Sequence, residues 1–148
     1  MPSFQVKTPE TYLGAERAQG FIQPLKSGNR YFARPGYLSL NAFALQGTWR
    51  ISNQSAAALR PGAAIYAHFA AAKVYLVLTS TQNSPRTVSI LLDGRPISAG
   101  VAGKDVHQGR VTVRGQRLYS LVSLPSAQQH QLEIKVPPGV SAYDFTFG

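Results

Sequence analysis

Residues 63–94 read AAIYAHFAAAKVYLVLTSTQNSPRTVSILLDG, and this stretch decides the fold. Apolar residues recur at every second position in three segments, 63–71, 74–79 and 87–92, and Asp93-Gly94 ends the last one. A period of two with many β-branched residues is typical of β-strands, and Asp-Gly is common in turns. The stretch therefore predicts three consecutive buried strands.

The same alternation continues on both sides of this stretch. Between residues 43 and 52 the apolar side chains, Trp49 among them, fall on odd positions and the polar ones on even positions. This pattern places Trp49 in the core, where its indole N–H needs a partner. Further short strands are predicted at 37–40, 111–114, 117–124 and 131–136, and a last one at 143–147, with a single helical turn around the alanines 56–58 within 53–62. About nine strands with turns roughly every 8–12 residues favour a β-sandwich or jelly roll.

The N-terminal segment 8–14, TPETYLG, has the composition of a short helix. Thr8 can cap a helix, Pro9 suits its first position, and Gly14 can close it. The predicted fold class is therefore all-β, an antiparallel β-sandwich of jelly-roll type with a short N-terminal helix.

The charge balance of the chain is strongly positive. Its 148 residues carry 15 Lys and Arg against 6 Asp and Glu, a net charge of +9. Clustered cations would indicate a nucleic-acid partner, but these are spread over predicted loops and strand ends, and only 110–117 approaches a patch. We therefore expect no nucleic-acid binding, and attraction to anionic envelope material fits the charge better.

Membrane and export signals are missing from the sequence. No segment has the roughly 18–20 uninterrupted apolar residues of a membrane span, because His68 and Lys73 interrupt the most apolar run. The first residues, MPSFQ, lack the basic start and apolar core of a signal peptide. We expect no membrane span in this chain, and either export is not needed or the signal belongs to a longer parent protein.

Catalytic patterns are also missing. The chain has no cysteine, which excludes a disulfide framework, a Cys-based zinc site and thiol redox chemistry by this chain itself. Its acids and its histidines, His68, His107 and His130, lack the spacing of a carboxylate pair or a metal site, and no Gly-x-Ser-x-Gly elbow is present. The sequence predicts no enzyme activity, no catalytic residue, no metal and no cofactor.

Five segments, in order, resemble one protein family. They are TPETYLG (8–14), LQGTW (45–49), LLDG (91–94), DV (105–106) before RLYSLV (117–122), and FTFG (145–148). Together they resemble the domain that follows the thioredoxin-like domain in DipZ-type thiol:disulfide interchange proteins. Those proteins are similar in layout to cytochrome c biogenesis factors.

The resemblance implies an extracytoplasmic, periplasmic bacterial module within a larger membrane-anchored or exported protein. Its implied fold is a jelly roll like that of carbohydrate-binding modules, and the family's redox chemistry belongs to a Cys-x-x-Cys motif in the preceding domain. We therefore expect residues 1–28 to be a linker remnant and a short helical segment packed on the domain. Residues 29–148 are expected to form the β-sandwich, with one domain in all.

Two hypotheses about function follow from different classes. In the first, the chain is a non-catalytic accessory domain that binds a carbohydrate or another envelope ligand. In the second, it is a structural or interaction domain that docks its own thioredoxin-like domain or a client protein. A sugar needs an aromatic face with polar groups beside it. The candidate ligand-binding residues, taken from side chains that face away from the predicted core and from the interior strand, are Tyr66, His68, Tyr75, Arg117 and Tyr119.

Overall fold

The computed structural model describes residues 7–148, and nearly all regular structure in this range is β. Two short 3-10 turns, Thr81–Asn83 and Ala99–Val101, are the exceptions. The strands are β1 (Thr11–Tyr12), β2 (Gly28–Phe32), β3 (Phe43–Ile51), β4 (Ala56–Ala58), β5 (Ala63–Ser80), β6 (Arg86–Leu92), β7 (Arg95–Pro96), β8 (Arg110–Val113), β9 (Arg117–Val136) and β10 (Val140–Phe147). The predicted all-β, sandwich-like fold is confirmed, whereas the jelly-roll connectivity stays a prediction.

Two long antiparallel strands, β5 and β9, run through the whole fold. They pair from Ala63 opposite Val136 to Leu78 opposite Arg117. The sequence predicted two strands, 63–71 and 74–79, where β5 is continuous, and two strands, 117–124 and 131–136, where β9 is continuous. Between the predicted halves of β9, residues 128–131 of the polar segment pair with β5, with His130 opposite Phe69, whereas residues 125–127 fall within a register shift.

The ten strands form one continuous hydrogen-bonded sheet, in which an irregularity in the middle of β5 separates two regions. The register against β9 shifts between Ala71 and Lys73 and again between Val74 and Tyr75. Before the shift, β5 lies between β3 and the second half of β9, which in turn pairs with β6. After the shift, β5 lies between β10 and the first half of β9. We call these two regions the first and the second sheet.

The two sheets enclose one core that is rich in aromatic rings. Phe43 of the first sheet packs against Phe145 of the second, with ring centroids 5.5 Å apart, and Phe69 against Phe147 at 6.0 Å. Trp49 is 0% exposed, and its indole Nε1 donates to the carbonyl oxygen of Gln46 at 2.8 Å. The predictions of a buried Trp49 and of an internal partner for its N–H are confirmed.

Gly47 allows β3 to approach the start of β5. Its φ is +91°, and a Cβ atom at this position would lie 2.9 Å from the Cα of Ala63. A side chain would therefore meet backbone that cannot yield cheaply. The spacing of LQGTW is explained by this contact, since Gly47 stands between Gln46 and the buried Trp49.

The predicted N-terminal helix is wrong. The Thr8 hydroxyl, expected to cap it, instead accepts the backbone N–H of Ala70 and donates to Asn41, and Thr11–Tyr12 pairs with β10 as a strand. The backbone bonds of this segment are made to the sheet, so none remain for a helix. The segment does pack on the domain, because Leu13 is fully buried in the core.

Two smaller predictions are also wrong. The segment 37–40, predicted as a strand, is a loop in which Tyr37 is 84% exposed and Leu38 is buried. The Leu38 carbonyl lies 2.9 Å from Nδ1 of His68, so it bonds to a side chain and not to a neighbouring strand. The alanines at 56–58, predicted as a helical turn, form β4 between β3 and β10.

A carboxyl pair lies where β1 joins β10. Asp144 is opposite Tyr12 and close to Glu10, and Arg17 stacks over the Tyr12 ring at 3.8 Å. Partial burial and the neighbouring Glu10 raise the pKa of Asp144 from its ordinary 3.8 to about 6, against the opposing effect of Arg17. The charged form of Asp144 is therefore disfavoured in the folded state.

We expect Trp49→Ala to lower the free energy of unfolding by about 3–5 kcal/mol, because it empties an aromatic site in the core. Chemical denaturation followed by circular dichroism measures this change. Tyr37→Ala is the matched control, and its exposed ring should contribute almost nothing. A Trp49 variant as stable as the Tyr37 variant would contradict the packing described above.

We expect Asp144→Asn to stabilise the chain at pH 7.5 and to have no effect at pH 4. A carboxyl with a raised folded-state pKa binds its proton more tightly in the folded state, so stability is lost as pH rises from about 4 to 6. Asparagine carries no charge and avoids this loss, which we put at about 1 kcal/mol after solvent screening. Denaturation at both pH values measures the difference, with the exposed Glu16→Gln as control. A stabilisation of equal size at both pH values would contradict the assignment.

Candidate functional site

A groove lies on the outer face of the first sheet, on the side away from the core. Its main depression has a volume of about 640 Å³. The floor consists of side chains from β3, β5, β6 and β9, and prolines form the rim at one end. The lining residues are Arg34, Gln46, Pro61, Gly62, Ala63, Ala64, Tyr66, Thr87, Ser89, Glu133, Lys135, Val136, Pro137 and Pro138.

The strand register brings the polar side chains of this floor together. Tyr66 lies directly opposite Glu133, and Ala64 directly opposite Lys135. Gln46 is opposite Ala64 on the other side. Side chains that are opposite each other on one face of a sheet are in reach of each other. The small Ala64 leaves the space between Gln46 and Lys135 open, and this space is the bottom of the depression.

Tyr66 is the aromatic side chain of this floor. Its hydroxyl donates to Oε1 of Gln46 at 2.6 Å, which fixes the direction of the ring edge. Burial raises the pKa of Tyr66, and the negative charge of Glu133 raises it further, while the positive charge of Arg34 acts in the opposite direction. Tyr66 is therefore a neutral phenol with a carboxylate and a guanidinium beside it.

The loop between β2 and β3, residues 33–42, closes the groove at one end. A second depression of about 300 Å³ lies against this loop and shares Arg34, Tyr66 and Glu133 with the main one. The loop is held down through Leu38, whose carbonyl oxygen contacts Nδ1 of His68 at 2.9 Å and accepts from Nε2 of Gln131 at 3.4 Å.

A third depression continues the groove on the same face, at the edge formed by β6 and β8. It measures about 200 Å³, shares Ser89 and Lys135 with the main depression, and extends to Arg110 at the start of β8. We call the three connected depressions the outer groove. It crosses β3, β5, β9 and β6 and is open to solvent along its length.

Two of the five predicted ligand-binding residues lie on the groove side of the sheet. Tyr66 lines the groove, as described. His68, two residues further along β5, has the same orientation but is only 8% exposed, because the loop around Leu38 covers it. Its side chain lies under the loop at this end of the groove and holds the loop through the Leu38 carbonyl.

Tyr75 is separated from these two residues by the register shift in β5. It lies in the second sheet, opposite Ser120 of β9 and Thr146 of β10. Since the two sheets pack face to face, its outward side chain belongs to the other surface of the sandwich. The structure therefore does not bring Tyr75 to the groove.

Arg117 and Tyr119 are held in a structural cluster. Tyr119 is 1% exposed, and its hydroxyl donates to the Gly115 carbonyl at 2.8 Å and accepts the Arg114 N–H at 3.0 Å. Arg117 lies over the Tyr119 ring at 3.9 Å and forms an ion pair of 2.9 Å with Asp105. The Tyr119 ring is thus covered and cannot stack on a ligand.

Asp105 links this cluster to the backbone of β9. Its Oδ2 accepts the N–H of Ser120 at 2.7 Å. The hydrogen bond from Arg117 lowers the pKa of Asp105 by more than burial raises it, and the N–H of Ser120 lowers it further. This explains the Asp-Val at 105–106 ahead of the strand as a structural requirement.

Sequence reasoning missed the charged and most of the polar residues of the groove, among them Arg34, Gln46, Glu133, Lys135 and Arg110. Gln46, Glu133 and Lys135 were placed on solvent faces by the alternation, but the pattern does not say which strands are neighbours. Arg34 comes from a loop and carries no periodic signal. These residues could have been identified as neighbours only from the strand pairing that places Glu133 opposite Tyr66, and the sequence does not give this pairing.

The groove offers an aromatic ring, hydrogen-bonding groups and charged groups, an arrangement that suits binding. No group of three or more His, Asp or Glu side chains in residues 7–148 could hold a metal ion. The sequence has no cysteine for redox chemistry. In the described part of the chain, no helix has the length and apolar character needed to cross a membrane.

The comparisons with known proteins agree with this fold and with the sequence motifs. Residues 8–148 match the family described as thioredoxin like C-terminal domain. The DipZ proteins of Mycobacterium bovis and Mycobacterium tuberculosis are each 31% identical to the chain over 144 residues, which is 95% of this chain and 18% of their own length.

A solved structure shares the fold. It is that of a family two carbohydrate esterase from Cellvibrio japonicus, with a TM-score of 0.55, an identity of 15%, and coverage of 71% of this chain and 30% of the other. The chain thus corresponds to a small part of each similar protein. The resemblance inferred from the five sequence segments is confirmed, and the chain belongs to the thioredoxin-like C-terminal domain family.

Proposed function

We propose that this chain is a non-catalytic accessory domain of an extracytoplasmic thiol:disulfide interchange protein, and that its outer groove binds a carbohydrate of the bacterial envelope. The observation that carries the proposal is Tyr66, a partly exposed aromatic ring between Gln46 and Glu133 in a depression of about 640 Å³. An aromatic face and flanking polar groups are what a sugar needs for its C–H surface and its hydroxyls.

The similar proteins support this context. The matched relatives are named DipZ, and the solved structure with the same fold is described as a carbohydrate esterase. Fold likeness does not carry function by itself, so the groove geometry remains the main support. The redox chemistry of the parent protein would then belong to another domain, while this chain would hold the parent near envelope material.

We expect oligosaccharides that bind the chain to shift the ring resonances of Tyr66, and we expect Tyr66→Ala to weaken this binding by about five- to tenfold. Titration of a panel of neutral and acidic tetrasaccharides, followed by NMR and calorimetry, measures both. Tyr31→Ala is the matched control, because Tyr31 is 75% exposed and lies outside the outer groove.

Two results would overturn the proposal. One is the failure of every oligosaccharide of the panel to bind. The other is binding that Tyr31→Ala removes and Tyr66→Ala leaves unchanged in a folded variant.

A specific observation also favours the second candidate, a protein-docking domain. Beside β2 lies another depression of about 530 Å³, which shares Arg34 with the outer groove and is lined in part by Ile22, Pro24, Tyr31 and Pro35. Ile22 is 57% exposed and Tyr31 75%, and exposed apolar side chains grouped together often mark protein contacts. Under this reading the partner is the thioredoxin-like domain of the parent or its client, and Tyr31→Ala, unlike Tyr66→Ala, would abolish a pull-down with that domain.

We expect the isolated chain to show no thiol:disulfide exchange activity, because the reactive group in that reaction is a thiolate and the chain has no cysteine. Insulin reduction by dithiothreitol, with and without the purified chain, measures this. Heat-denatured chain is the control. A rate above that of the control would contradict the assignment of the redox step to another domain.

A further inference from the structure

The charged side chains of the outer groove are mostly cations. Arg34 lies at the loop end, Lys135 in the middle, and Arg110 at the β8 end. The only carboxylate that lines the three described depressions is Glu133. Three cations against one carboxylate leave an excess of two positive charges along a continuous surface.

These cations have no carboxylate partner in the fold. The structure of residues 7–148 contains two ion pairs, Arg117 with Asp105 and His130 with Asp93, and neither includes a cation of the groove. Lys135 has Ala64 and Ser89 as its direct cross-strand neighbours, which carry no charge. Lys135, Arg34 and Arg110 are exposed, and Glu133, which precedes Lys135 on the same face of β9, is the one carboxylate that lines the described groove beside them.

The cations are arranged for a ligand that carries several negative charges. They line the groove from the loop end to the β8 end, so a ligand that extends along the groove could place a negative group at each of them. Tyr66 lies between Arg34 and Lys135 and provides one aromatic surface beside the charges. A chain of sugars with charged substituents would place rings on Tyr66 and anions on the flanking cations.

We infer that the outer groove binds an anionic glycan, whose carboxylate or phosphate groups contact Arg34, Lys135 and Arg110. The inference rests on the proposed function, because it names the ligand class of the same groove. The negative charge of Glu133 repels such a ligand, and this repulsion would limit the affinity where a negative group of the glycan lies close to Glu133.

Matched ligands test the inference. The tetramer of galacturonic acid is compared with its fully methyl-esterified form, which has the same rings without charge, and with a short poly(glycerol phosphate). We expect the acid to bind about tenfold more tightly than the ester at 50 mM NaCl, and this preference to shrink at 300 mM NaCl. Tight binding of the poly(glycerol phosphate) as well would show that the groove binds phosphate groups as well as carboxylate groups.

Variants locate the effect in the groove. Lys135→Gln and Arg34→Gln should each weaken binding of the acid about threefold and leave binding of the ester unchanged. Lys104→Gln removes the same charge outside the groove and should have no effect. Glu133→Gln should strengthen binding of the acid about twofold, a gain that misfolding cannot produce.

The outcomes separate the two proposals. Equal binding of acid and ester at the Tyr66 surface would overturn the anionic preference and leave the carbohydrate proposal intact. A loss from Lys104→Gln as large as that from Lys135→Gln would also overturn it, because general surface charge would then be the cause. Failure of all three ligands and of neutral oligosaccharides would overturn the carbohydrate proposal itself.

Discussion

The carbonyl oxygen of Gly148 accepts the backbone N–H groups of both Ala72 and Lys73, at 2.8 and 2.9 Å. Two N–H groups from consecutive residues that share one acceptor are typical of a β-bulge, and the change in inward-facing positions supports a bulge in β5 here. The inward side chains change there from odd to even positions, from Phe69 to Val74. Both sheets use β5, and the bulge therefore determines which side chains face solvent on each of them.

The outer groove follows from this constraint together with two small residues. Before the bulge, even-numbered residues of β5 face outward, which places Ala64, Tyr66 and His68 in a row. Ala64 leaves room at the bottom, and Gly47 lets β3 approach close enough to bring Gln46 within 2.6 Å of the Tyr66 hydroxyl. After the bulge the outward row belongs to the other surface, and Tyr75 is on it. A ligand site with both Tyr66 and Tyr75 is thus excluded by the backbone.

The sequence predicts well what depends on neighbours along the chain, and poorly what depends on partners across the fold. Alternation identified the core positions of β3, β5 and β10, including Trp49, because burial repeats every second residue. The segment 8–14 satisfied the rules for a helix, yet Thr8 and Thr11 bond to distant strands, and tertiary hydrogen bonds outweigh local preference. The groove was predicted only through Tyr66, since the pairing of β5 with β9 and the Arg34 loop leave no periodic signal.

The positive surface itself is a consequence of how the few acids are used. Asp93 and Asp105 accept backbone N–H groups of β9 and each pairs with a nearby cation or histidine. Glu10 and Asp144 lie beside each other at the β1–β10 junction, near Arg17. These four carboxylates lie outside the outer groove, and Asp93 and Asp105 stabilise the fold through their charge-assisted hydrogen bonds. No ion pair in residues 7–148 includes Arg34, Lys135 or Arg110, so the outer groove keeps a net positive charge.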